Sequence, residues 1–180
     1  MIEKHCYSDL IEIFNRCFAA SYNTRLVKGE DEPIYLPSTA NRPFNEIHFA
    51  HGYFSSALHE ISHWLIAGEE RRKLEDFGYW YTPDGRTAEQ QRLFEQVEVK
   101  PQAIEWILSV AAGYRFYISA DNLNGEATDN SEFKRNVYRQ VERFAIDGLS
   151  VRAETFRQAL ADFYSTPDTI NLDCFDLERV

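Results

Sequence analysis

The chain has 180 residues, of which 44% are hydrophobic, 14% aromatic and 27% charged. This suits one globular domain with a single sizeable core and excludes disorder over most of the length. Lys+Arg number 19 against 29 Asp+Glu, a net charge of -10, so the overall field argues against nucleic acid and anionic membranes as partners and leaves room only for local basic patches. No apolar run approaches the ~20 residues of a membrane span. The start, Met1 to Cys6, lacks the basic-then-apolar pattern of a signal peptide. Cys6, Cys17 and Cys174 are scattered and form no CxxC pair, so the expected compartment is the reducing cytoplasm.

Taken in order, residues 8–22 read as an amphipathic helix with Ser8 as N-cap and Leu10, Ile11, Phe14 and Phe18 on its apolar stripe. Cys17, beside that stripe, reads as a small buried hydrophobe. Residues 28–45 read as irregular, punctuated by Pro33, Pro37 and Pro43, with Ile34–Leu36 as a short strand and Glu46–Ala50 as another. Residues 53–67 read as a strongly apolar helix closed by Gly68. Glu69–Glu75 is a charged surface stretch whose Arg71-Arg72-Lys73 run is either solvated or a docking point for an acidic partner. Phe77–Tyr81 reads as a strand and Pro83-Asp84-Gly85 as a turn. Thr87 starts a helix with Gln90 completing a capping box. Pro101 interrupts or restarts it, and Ile104, Ile107, Leu108 and Ala111 carry its apolar face to Gly113. A loop at 119–131 and helices at 131–147 and 153–164 follow. The tail after Pro167 carries weak signals. No linker divides the chain, so residues 1–180 are expected to form a single α+β domain, mostly helical, with a small β-sheet beside the helix of 53–67.

One motif carries chemistry: His59-Glu60-Ile61-Ser62-His63, an H-E-x-x-H on an expected helix. Positions i and i+4 lie one turn apart on nearly the same face, so both imidazoles can reach one metal ion. Glu60 is rotated by about 100° from His59, where it can handle a proton at the open side of the site. On so apolar a helix, two unpaired core histidines would be costly. A third ligand is needed, and Asp76, Glu95, Glu98 and Glu105 are the candidates. On spacing alone Glu98 reads as a solvated helix glutamate. His48 and His51 read as structural, with further ligands or donors that orient a ligand as the alternatives. In Tyr79-Trp80-Tyr81, alternation puts the two tyrosines on one face, either in the core or as a substrate-binding wall for an alkyl-ammonium chain. The chain has no G-x-S-x-G, P-loop, G-x-G-x-x-G or H-x-D/E pattern.

Several runs in one order resemble the bacterial elongation factor P hydroxylase family: Ala57–Trp64, Asp76–Tyr81 with Pro83–Arg86, Val97–Ala103 and Ala111–Tyr114. The resemblance spans about Asn45 to Leu123. It implies a zincin-like arrangement around the H-E-x-x-H helix and hydroxylation of the β-lysylated lysine of elongation factor P. His59, His63 and Glu98 are then the metal ligands, with Glu95 as the fallback for the third. Glu60 takes the catalytic role of steering a proton or binding the substrate ammonium, and Tyr79 and Tyr81 bind substrate. The implied cofactor is iron(II), with zinc as a metal the purified protein can carry, and molecular oxygen is the co-substrate. The implied partner is elongation factor P itself, with no nucleic acid and no membrane. That factor is expected to be acidic as a whole, so recognition is expected to be local. Two rival readings stand beside this one. One is a zinc metallopeptidase with Glu60 as general base. The other is an interaction domain with a closed, structural metal site.

Overall fold

The computed structural model describes residues 5–76, 85–119 and 130–180. Its elements are α1 (Tyr7–Phe18), β1 (Thr24–Lys28), β2 (Ile34–Leu36), β3 (Asn45–Phe49), α2 (Phe54–Ile66), α3 (Ala88–Ala111), α4 (Ser131–Asp147) and α5 (Val151–Tyr164), with short 3-10 turns at Arg71–Lys73, Leu172–Cys174 and Leu177–Arg179. The architecture is α+β and mostly helical, with one three-stranded sheet among the described residues. The strand order is β1-β3-β2, β3 running parallel to β1 and antiparallel to β2.

The first helix differs from expectation at both ends. Its N-cap is Cys6, not Ser8, and the Ser8 hydroxyl donates to Cys6 Sγ at 2.9 Å. It stops at Phe18, so residues 24–28 are released to form β1, a strand the sequence reading passed over. There Thr24 and Leu26 point inward while Arg25 and Lys28 point out. Asn15 fastens the strand to α1 by accepting from the Leu26 N–H at 3.0 Å. Cys17 packs half-buried against the core, and burial pushes its thiol pKa up, consistent with an inert hydrophobe.

The chain leaves β3 through His51 (φ 57°) and Gly52 (φ 71°), two consecutive left-handed residues. The positive φ suits glycine at 52, while the atom nearest a Cβ there, Lys28 Cε at 3.0 Å, belongs to a flexible side chain that can move aside. This turn aims α2 across the sheet, and the helix buries Phe54, Ala57, Leu58, Ile61, Trp64 and Leu65. Its end is set by Arg152 of α5 rather than by Gly68. The Arg152 guanidinium donates to the carbonyls of Trp64 at 2.9 Å and Ala67 at 2.6 Å, and lies over the Trp64 ring. A cation there also suits the negative end of the helix dipole.

The capping box on α3 forms as read: Thr87 accepts from the Gln90 N–H, and Gln90 Oε1 from the Thr87 N–H. Pro101, however, neither interrupts nor restarts the helix, which runs unbroken for 24 residues. An internal proline costs about 3 kcal/mol. Here packing offsets it, because residues 101–109 are buried without exception. α3 is a wall shared by two hydrophobic clusters. Ile104, Leu108 and Ala111 join α1, the sheet, α2 and α5, while Phe94, Ala103, Trp106 and Ile107 join α4 and the tail. The tail is tied down by Phe175, whose ring meets Trp106 edge-on at 5.4 Å. The last two helices lie at 131–147, as read, and at 151–164, starting from a Ser150 cap.

Replacing Arg152 by Leu removes both side-chain hydrogen bonds at the end of α2 and leaves the Trp64 carbonyl with the longer bond from the Ala67 N–H at 3.3 Å. Urea denaturation should show a loss of about 1–3 kcal/mol, of which Arg152→Lys recovers only part because lysine lacks the two-pronged geometry.

Candidate metal centre

α2 presents His59 and His63 one turn apart, their ring centroids 4.7 Å from each other and the planes at 71°. Their Nε2 atoms approach to 3.1 Å. α3 packs against α2 and brings Glu98 to this pair. Glu98 is 1% exposed, with Oε1 at 3.3 Å from His63 Nε2 and Oε2 at 3.8 Å from His59 Nε2. Each residue offers one ligand atom, and the three atoms lie within 4.8 Å of one another. Neighbouring ligands about 2.1 Å from a single ion stand roughly 3.0–3.4 Å apart. The observed spacings fit that span after a small closing movement of His59 and Glu98. Two imidazoles and one carboxylate, facing each other in a largely buried site, could hold a metal ion.

Seven residues beyond Glu98, and so two turns along the same face of α3, Glu105 meets the other nitrogen of the first imidazole. His59 Nδ1 lies 2.8 Å from Glu105 Oε2. With Nδ1 directed at that carboxylate, Nε2 is the ring atom that faces Glu98 and His63, and it is free to ligate a metal once its proton leaves. Glu105, one of the four candidate ligands, thus orients a ligand instead of contributing a donor to the cluster. Sequence spacing could not separate these roles, although the seven-residue interval between Glu98 and Glu105 was a signal that both carboxylates share a face.

The other candidates fall elsewhere. Glu95 is partly exposed and accepts from Gln91 Nε2 at 3.1 Å. Asp76 pairs with Arg71 and bridges the backbone of Tyr35. His48 meets Glu46 at 2.8 Å on β3, and His51 is an exposed turn residue. The reading of Glu98 as a solvated glutamate is overturned by its burial. Tyr79 and Tyr81 lie outside the described residues.

The electrostatics follow from this crowding of acids. Burial pushes the His59 imidazole down, but the hydrogen bond to Glu105 and the charges of Glu105, Glu98 and Glu60 outweigh it and raise its pKa to about 10. Glu60 is raised above the usual carboxylate range, chiefly by burial and further by Glu98 and Glu105, against the opposing pull of His59 and His63. The centre has two flanks. Glu60 and His63 line a small pocket with Tyr35, Ile47 and Trp64. His59 and Glu105 line a wider, more open one with Ser55, Ser109, Tyr114 and Phe116. A cavity thus lies beside the cluster on each flank.

Fold and site together define a small α+β protein with a two-histidine, one-carboxylate cluster that could hold a metal ion, built on an H-E-x-x-H helix. The family model described as Elongation factor P hydroxylase matches residues 13–175. A protein of Haemophilus influenzae named Elongation factor P lysine hydroxylase is 64% identical over 174 residues, which is 97% of this chain and 98% of that protein. The chain belongs to the elongation factor P hydroxylase family.

Two expectations follow from the geometry. Alanine in place of His59, His63 or Glu98 should reduce bound metal, measured by elemental mass spectrometry, from about one ion per chain to near none. Glu105→Gln should keep the ligands and weaken affinity by about 10–100-fold. The second concerns pH. The metal-free imidazole of His59 is protonated up to about pH 10, whereas a metal needs it neutral. Loading near pH 8 should therefore release a proton, seen in calorimetry as an enthalpy that depends on the buffer. Affinity should rise with pH by up to about tenfold per unit from pH 7 toward 10. An enthalpy independent of buffer would contradict the assignment of the His59–Glu105 pair.

Proposed function

We propose that the protein is a non-haem metal hydroxylase that adds oxygen to the β-lysylated lysine of elongation factor P, and that residues 1–180 work as one domain. The observation that carries this reading is the convergence of His59, His63 and Glu98 in a chain 64% identical, over nearly its whole length, to a protein named Elongation factor P lysine hydroxylase. Iron(II) is the metal of this reading, because two imidazoles and one carboxylate with open positions suit iron and oxygen chemistry. Zinc binds the same donors and can replace it in purified protein. The α2 helix lying on β3 supports calling the arrangement zincin-like. Neither the family match nor the relative supports the zinc metallopeptidase alternative. No helix among the described residues is long and apolar enough to cross a membrane. With three free thiols, the protein is placed by this reading in the cytoplasm.

Bound at these three residues, iron supplies the redox chemistry that couples dioxygen and a two-electron reductant to oxidation of a C–H bond. The chain's own residues do the rest. Glu105 holds His59 in one tautomer and one orientation, so the ligand set is formed before substrate arrives. Glu98, buried against both imidazoles, fixes the third position. Glu60, its pKa raised by burial, is placed to take up and pass on a proton within the small pocket it shares with His63. The surplus of acids around the centre favours a substrate whose side chain is cationic, and a lysine extended by a lysyl group is such a chain. Tyr79 and Tyr81 complete this reading as walls for that ammonium-bearing chain.

The test is mass spectrometry of β-lysylated elongation factor P after aerobic incubation with iron-loaded protein and a reductant. The wild type should add one oxygen atom to the modified lysine, and His59→Ala should add none. Glu60→Gln should retain its metal and lose about 100-fold or more in rate. Metal-loaded wild type that leaves the factor unoxidised would overturn the reading.

A further inference from the structure

A chain with 29 Asp+Glu against 19 Lys+Arg should be acidic over most of its surface. The groove between α3 and α4 reverses that sign. Among the described residues, its charged lining is Arg71, Lys100, Arg139 and Arg143, with no acid among them. Arg139 and Arg143 stand one turn apart on α4, facing Lys100 on α3, and all three are exposed. Among the described residues, Lys100, Arg139 and Arg143 form no ion pair, in contrast to Arg71, Lys73 and Arg157, which do. Ile66, Val97 and Val99 give the same groove an apolar lining. Ile66, 37% exposed, is three residues beyond His63 on the last turn of α2. Arg71 lines both this groove and the pocket of Glu60 and His63. The groove therefore ends at one flank of the metal centre.

We propose that this cationic groove docks an acidic face of the protein substrate and delivers the modified lysine to the flank of Glu60 and His63. The proposal rests on the hydroxylase reading and adds to it the surface that recognises the partner. The division of charge suits a partner of mixed sign: the acids of the centre can receive a cationic side chain, while the basic groove can receive an acidic face of the same protein. A protein occupant is favoured over a nucleic acid on two grounds. Among the described residues, no aromatic ring lines the groove to stack bases. The apolar lining suits side chains at an interface.

The experiment measures binding and turnover on β-lysylated elongation factor P with metal-loaded full-length protein. The variants are Arg139→Glu/Arg143→Glu and, as the conservative pair, Arg139→Lys/Arg143→Lys, with melting curves to show that both fold. Charge reversal should raise Kd and KM by about tenfold or more while leaving kcat within about twofold, and the lysine pair should bind like wild type. Wild-type affinity should fall as salt rises from about 50 to 300 mM. Unchanged Kd on charge reversal would overturn the docking proposal even if turnover is normal, as would a wild type that does not bind the factor. Tight binding without turnover, abolished by charge reversal, would uphold the groove and sink only the hydroxylase reading. A labelled single-stranded RNA that binds the groove more tightly than the factor would replace the protein occupant and overturn the proposal.

Discussion

The packing of α3 against α2 buries two carboxylates opposite two imidazoles, and the rest of the structure is arranged around that contact. A buried carboxylate costs several kcal/mol unless it is paired. Glu98 and Glu105 are compensated by His59 and His63, and in the metal-free protein the raised pKa of His59 supplies the balancing charge. A metal ion can take over that charge when it displaces the proton. The same contact accounts for the tolerance of Pro101. It lies between the two glutamates, and a break there would rotate Glu105 away from Glu98. The buried run from Ala103 to Leu108 holds the helix together across it.

Charge is segregated on a scale of a few turns of helix. The centre is acidic and partly buried, with Glu60 on one flank and Glu105 on the other. The adjoining groove is basic and exposed. A uniformly acidic molecule could attract an ammonium but would repel an acidic protein carrying it. Local reversal of sign permits both, because exposed charges act over about a Debye length of 8–10 Å at physiological salt.

Much of the fold was legible where the signal is local. The apolar α2, the capping box at Thr87 and Gln90, and the span of α4 depend on residues within a turn or two of each other. β1 was not legible, because its alternation is short and it pairs with β3 across a long stretch of sequence. The persistence of α3 through Pro101 and the anchoring of the tail by Phe175 were hidden for the same reason: both are decided by packing partners remote in the chain.

The site divides along that line too. H-E-x-x-H on an apolar helix was enough by itself to place His59 and His63 on one face with Glu60 beside them, because helix geometry fixes i and i+4 without help from the rest of the chain. The extended resemblance pointed to Glu98. The composition already set a net charge that disfavours polyanions. Only the tertiary structure decided that Glu98 faces both Nε2 atoms while Glu105 takes the Nδ1 of His59, a contact spanning 46 residues. Likewise, only the approach of α4 to α3 gathers Lys100, Arg139 and Arg143 into one groove. Local sequence determines which face of a helix a residue occupies. What that face meets depends on how the helices pack.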